Sequence, residues 1–329
     1  MRRLAAVELR RLRARRLTVV GLIGVVVGLA FMGYGMWDQA RPLTASQRQA
    51  ATAAYNQARQ DWLAHGDQMR TDCLAGQADA RKTDPKADFG CDTMEPRLEN
   101  YGKPRPRLDD LVPSGLEGAA YLVAFVAFVV GAGFTGAEVA SGALGTWLTF
   151  EPRRLRVLGS KLVAVVSGTA VIGAVAVGLV LTTGWLLVQH YNPAAHTPGG
   201  LWSTLAGQAG RAVALTAAAG LAGAALSLLL RHTAAALGVV IGYLVVVEGL
   251  LANRFSSLKP WLLQTNVLGW LRHGTSYGLD VCTVAPDGSY GCQTVQRAIS
   301  FGHSSLVLAL VLAAALALTV VVFRRRDVA

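Results

Sequence analysis

Glu138, Gly142 and Lys161 frame the stretch of this chain in which charge is placed most sharply. Between them runs a proline-basic cluster, Pro152-Arg153-Arg154-Leu155-Arg156, and an apolar run long enough to cross a bilayer lies on either side. These residue types offer ion pairing and close approach rather than bond making. Gly136, Ala140, Gly142 and Ala143 leave room for a helix to sit close against a neighbouring surface. A basic loop between two spans is expected on the cytoplasmic side, and an ordinary topology-setting loop is the plain alternative. Glu138 then reads as a solvated or coupling acid at the inner interface rather than as a proton carrier.

Other chemistry is sparse. No GxxxxGK[ST] loop is present, so the chain has no phosphate cradle of that type, and HExxH and GxSxG are absent too. The four cysteines fall as two local pairs, Cys73 with Cys91 and Cys282 with Cys292. Both pairs lie in segments expected outside the cytoplasm, which favours two disulfides. A metal site is the rival, but the histidines do not cluster near the cysteines and no CxxC occurs. Glu248 lies toward the outer end of an apolar run, where an acid is costly. It either contacts substrate or Arg254 along a substrate path, or reaches water one turn from the end. Arg211 is expected to snorkel outward.

Composition says what must position these residues. The chain has 329 residues, 53% hydrophobic and only 16% charged, with 36 glycines. About a quarter charged is usual for a soluble domain, so this is an all-α polytopic membrane protein. The net charge of +11 comes from arginines at the ends of apolar runs, which suits topology and anionic membrane lipids; no nucleic acid is expected as a partner.

Residues 1–17 hold seven arginines and an apolar repeat near helical spacing. They read as an amphipathic interfacial helix bearing Glu8, Arg10 and Arg11. The alternative is the charged start of a signal peptide. Against it, the run at 18–37 is long and Trp37-Asp38-Gln39-Ala40 is no small-residue cleavage site. This first span carries a Gly24/Gly28 pair of GxxxG type. Residues 38–115, with 11 basic and 12 acidic residues, form a helical extracytoplasmic insert. Within it Thr44-Ala45-Ser46-Gln47 has the form of a capping box, and the proline-rich part from 83 is irregular. Further spans are expected at 117–134, 162–189, 207–230, 233–252 and 304–323. The loop 190–206 and the segment 253–303, with interfacial or re-entrant helices, would lie outside; the tail 324–329 would lie inside. Six transmembrane helices with both ends in the cytoplasm satisfy the charge rule.

The order acid, Gly, Leu-Thr, Pro, Arg, Lys resembles the cytoplasmic coupling segment of ABC type 2 exporter permeases. The residues that carry it are Glu138, Gly142, Leu148, Thr149, Pro152, Arg154 and Lys161. The six-span plan with an interfacial N-terminal helix is similar as well. The resemblance implies a permease that pairs with a second copy (a homodimer) or a related permease and docks a separate ABC ATPase subunit. Docking would use residues 135–161, including Arg153 and Arg156. It implies no cofactor in this chain and no catalytic residue, with ATP and Mg bound by the partner ATPase. Arg- and Ala-rich usage suggests a bacterium of high GC content, and hence its plasma membrane. Two rivals stand beside this reading: a membrane-anchored binding or sensory protein that uses the insert, and a secondary transporter. The scarcity of mid-span charge speaks against the second.

Overall fold

The computed structural model describes residues 2–82, 85–143, 153–284 and 290–325. Among these, six helices are long and apolar enough to cross a membrane, as expected of a multi-pass membrane protein. The chain forms two compact units. The first holds residues 1–36, 108–186 and 196–329; the second holds 37–107 and 187–195.

The first unit starts with α1 (Arg2–Ala14), broken from α2 (Arg16–Ala40) at Arg15. It continues through α5 (Leu108–Ala140), reached through α3 (Ala45–Ala80) and α4 (Leu98–Tyr101) of the second unit, then α6 (Arg154–Tyr191), α7 (Leu201–Leu230) and α8 (Thr233–Gly242). A π-helical stretch, Tyr243–Leu251, prolongs α8; such wide turns recur at functional sites. A short helix α9 (Leu263–Arg272) and an antiparallel hairpin, β1 (Gly274–Val284) and β2 (Tyr290–Ser300), precede α10 (Phe301–Arg325). The hairpin is a departure from the all-α reading, while the helical part of residues 253–303 is α9 and the 3-10 turn Ser256–Trp261 before it. β-Branched and aromatic residues alternating with small ones form the ribbon, and the pairing of β1 with β2 sets Cys282 opposite Cys292.

α5 is the central helix: 61% of its apolar window is buried, against 11% for α2 and for α10. It meets α7 through glycine rather than through large side chains. A Cβ on Gly131 would lie 2.0 Å from the Gly220 carbonyl oxygen, and one on Gly223 would lie 2.1 Å from that of Phe128. Thr135 crosses the same contact, its hydroxyl 2.5 Å from that of Ser227 and 3.0 Å from the Ala224 carbonyl oxygen. Lipid offers no hydrophobic drive for helices to associate, so close packing and shared polar groups hold this seam. The Gly24/Gly28 pair is not one face of this kind. Gly28 packs on Leu122 and Gly21 on Val126, while Gly24 faces open space.

The second unit is built on α3 (Ala45–Ala80), whose 36 residues are rich in Ala and Gln and hold no proline. Its start is the expected capping box: the Gln47 amide donates to the Thr44 hydroxyl, and the Thr44 amide donates to the Gln47 side chain. The irregular return, with the one-turn helix α4 (Leu98–Tyr101), is pinned to α3 by the Cys73–Cys91 disulfide. Buried Gln77 accepts from the Phe89 amide, and Tyr101 meets Tyr55 edge-on. The bridge closes a loop of 18 residues, which restricts the unfolded chain by about 3 kcal/mol in the chain-entropy picture. A Cys73→Ser/Cys91→Ser variant is accordingly expected to lose about that much stability locally. Faster proteolysis between residues 85 and 107 with unchanged cleavage elsewhere checks it.

Candidate functional site

Lys161 sits two turns into α6, where no water reaches it: 1% of its side chain is exposed. A lysine so placed needs its charge answered, and two acids from distant parts of the chain do so. Glu8 of α1 lies 3.1 Å from the ammonium, and Glu138 in the last turn of α5 is hydrogen-bonded to it. Arg15, at the break between α1 and α2, donates to the other Glu138 oxygen at 2.8 Å and to the Gly133 carbonyl at 3.1 Å. Both cations also lie near the Phe134 ring, the Arg15 guanidinium 5.0 Å and the ammonium 5.4 Å from its centre.

The formal charges cancel, two acids against two bases. Position matters as well as count. Glu138 stands at the carbonyl end of α5, where the helix dipole opposes an anion, and the two cations offset that. Glu8 is 2% exposed and its Oε2 has no partner among the described residues. Around the charges lie Leu12, Val130, Phe134, Val165 and Ala224, which keep water out. A buried network of this kind is worth little net when whole, but removing one member leaves a charge stranded. It ties three segments, α1, the end of α5 and the start of α6, into one mechanical unit.

The sequence-derived residues distribute unevenly around it. Glu8, Glu138 and Lys161 come together, and Glu138 is buried and paired rather than solvated. Arg10 and Arg11 are exposed on α1, with Arg11 4.0 Å from Glu8. Gly142 closes α5 with a φ of 70°, a left-handed position that suits glycine just past a helix end. Arg153 is exposed, and Arg154 and Arg156 are half-buried. Leu148, Thr149 and Pro152 lie outside the described residues. Arg15 and Phe134 were not singled out. Arg15 is one of seven arginines in the first seventeen residues, and nothing local marks it as the one that turns inward.

At the far end of α5 a second set of polar contacts fixes α9. Glu117 accepts two bonds from Arg272, at 2.8 and 3.1 Å. Glu248 accepts from the Gln264 amide at 3.0 Å and Tyr243 from the Leu263 amide at 3.2 Å. The π-helical stretch thus caps the first turn of α9 from outside. Glu248 holds a helix terminus and does not pair with Arg254, whose guanidinium lies over the Phe255 ring. Arg211 does not simply reach outward: it donates to the Leu271 carbonyl, and the Trp270 indole donates to the Arg211 carbonyl. Cys73 is bonded to Cys91 as expected, Cys282 is also in a disulfide, and no described cysteine is free. Among the described residues no group of His, Cys, Asp or Glu is arranged to hold a metal.

Compared with the models of known protein families and with characterised proteins, the chain matches none.

Proposed function

We propose that this protein is the membrane-spanning subunit of an ATP-driven exporter, and that a separate ATPase docks at the end of the bundle bearing α1 and the segment between α5 and α6. The buried Glu8–Lys161–Glu138–Arg15 network carries the reading. A push on the basic segment after Gly142, or on α1, reaches the central helix α5 through paired charges rather than through a loose loop. Two further features support it: six spans with small-residue packing, and the order of residues from Glu138 to Lys161. On this reading the arginine-bearing end faces the cytoplasm. ATP and Mg bind in the partner, and two permease chains pair in the membrane.

Reversing Arg153, Arg154 and Arg156 together to Glu is expected to lower co-purification of the ATPase at least tenfold in protein that stays monodisperse. Full retention of a stoichiometric ATPase by this variant would sink the docking assignment. Recovery of the intact protein from its own membranes with no ATPase at all would sink the exporter reading. One observation favours a second reading, a binding protein that works through the insert. The disulfide-closed second unit exposes Leu63 and Leu98, and a protein held there in place of an ATPase would favour it.

A further inference from the structure

Part of the apolar face of α1 packs inside the protein. Leu12 is buried and Leu9 half-buried against Val165, Phe134 and the bare backbone of Gly168, where a Cβ would lie 2.6 Å from Leu12. Glu8 and Arg15 turn inward with them. Besides Arg11, which lies beside Glu8, α1 and the first turn of α2 present outward Arg10, Arg13 and Arg16, all exposed, interleaved with exposed Val7 and Leu17. Beyond Arg16 the exposed side chains of α2 are apolar for several turns: Val19, Val20, Ile23, Val26 and Val27. The described acids of this end, Glu8 and Glu138, are buried and paired inside, so nothing described on its surface cancels the guanidinium charge.

We infer that the corner where α1 meets α2 is a binding site for an anionic phospholipid, with the headgroup phosphate on Arg10, Arg13 and Arg16 and the acyl chains along α2. The geometry favours lipid over an acidic protein surface. Guanidiniums that stand at the top of a continuous exposed apolar strip match a molecule with charge at one end and hydrocarbon below it. Arginine suits the phosphate because its fork donates two parallel bonds. Each basic residue near an anionic membrane surface contributes about 1 kcal/mol, so three together amount to about a hundredfold in affinity.

The test uses the full chain in a neutral detergent, titrated with phosphatidylglycerol, phosphatidylcholine or inorganic phosphate, and read by native mass spectrometry and by thermal unfolding. Phosphatidylglycerol is expected to stay bound and raise the Tm, while phosphatidylcholine and phosphate do neither. An Arg10→Gln/Arg13→Gln/Arg16→Gln variant is expected to weaken phosphatidylglycerol about a hundredfold while keeping the lipid-free Tm. As a control, Arg231→Gln/Arg324→Gln changes exposed arginines elsewhere on unit 1 and should leave binding intact. Equal retention of phosphatidylcholine, or unchanged phosphatidylglycerol binding in the triple variant, overturns the site. So does equal binding of free phosphate, or loss of lipid only in the control variant. A triple variant whose lipid-free Tm falls is replaced by three lysines, which should restore folding and keep phosphatidylglycerol bound in preference to phosphatidylcholine; loss of that preference also overturns the site.

Discussion

Replacing Lys161 with Met is expected to destabilise the bundle by about 3–5 kcal/mol, because the Glu8 carboxylate is then left buried without its partner. Met is close to Lys in length, so the loss is one of charge compensation more than of volume. A second substitution separates the two. In Lys161→Met/Glu8→Gln the stranded carboxylate is gone, while Glu138 keeps its bond from Arg15 at 2.8 Å. That double variant is expected to recover most of the stability, since neutral groups of similar shape often replace a buried ion pair at little cost. Thermal unfolding in detergent reads the energetic part, and tryptic cleavage after Arg10 and Arg13 reads release of α1. If Lys161→Met alone loses less than about 1 kcal/mol, or if Glu8→Gln adds to its loss, the charges do not carry the contact and the mechanical unit dissolves.

A Gly131→Leu substitution is expected to do comparable damage by a different route. The new Cβ would meet a backbone oxygen of α7 at 2.0 Å, and backbone cannot rotate aside as a side chain can. The two helices must part, taking the Thr135–Ser227 contact and buried Ala224 with them. Overpacking usually costs 1–3 kcal/mol, and a backbone clash on a central helix belongs at or above the top of that range, about 3 kcal/mol. The matched control is Gly24→Leu, where nothing lies within 4 Å and the added side chain meets only surrounding lipid or detergent. The expected outcome is a monodisperse Gly24→Leu protein and an aggregated or strongly destabilised Gly131→Leu protein. Equal behaviour of the two would mean that α5 and α7 do not approach through Gly131.

Much of the architecture was open to reading from sequence, for a simple reason. A bilayer demands about twenty apolar residues per crossing, and this chain interrupts its apolar runs with arginines, prolines and a polar insert. The capping box at Thr44 was legible because both of its bonds are made within four residues. The hairpin was not, since short runs such as Tyr277 to Val284 are consistent with strand or helix until a partner strand is known. The Gly24/Gly28 spacing pointed to a helix contact, yet only Gly28 makes one, because spacing defines a face and not its neighbour.

The charge network divides along the same line. From the sequence alone, Glu138 and Lys161 stand out, being charged residues at the ends of apolar spans where every charge must be explained. That Glu8 meets Lys161 153 residues away along the chain, that Arg15 rather than any other of the seven arginines turns inward, and that Phe134 lies near both cations, were decided only by tertiary packing. The cause is physical. Local pattern determines which residues share a helix face, whereas a buried ion pair depends on which helices are neighbours, and here that follows from packing such as Leu12 and Leu9 against Gly168, which seats α1 on α6.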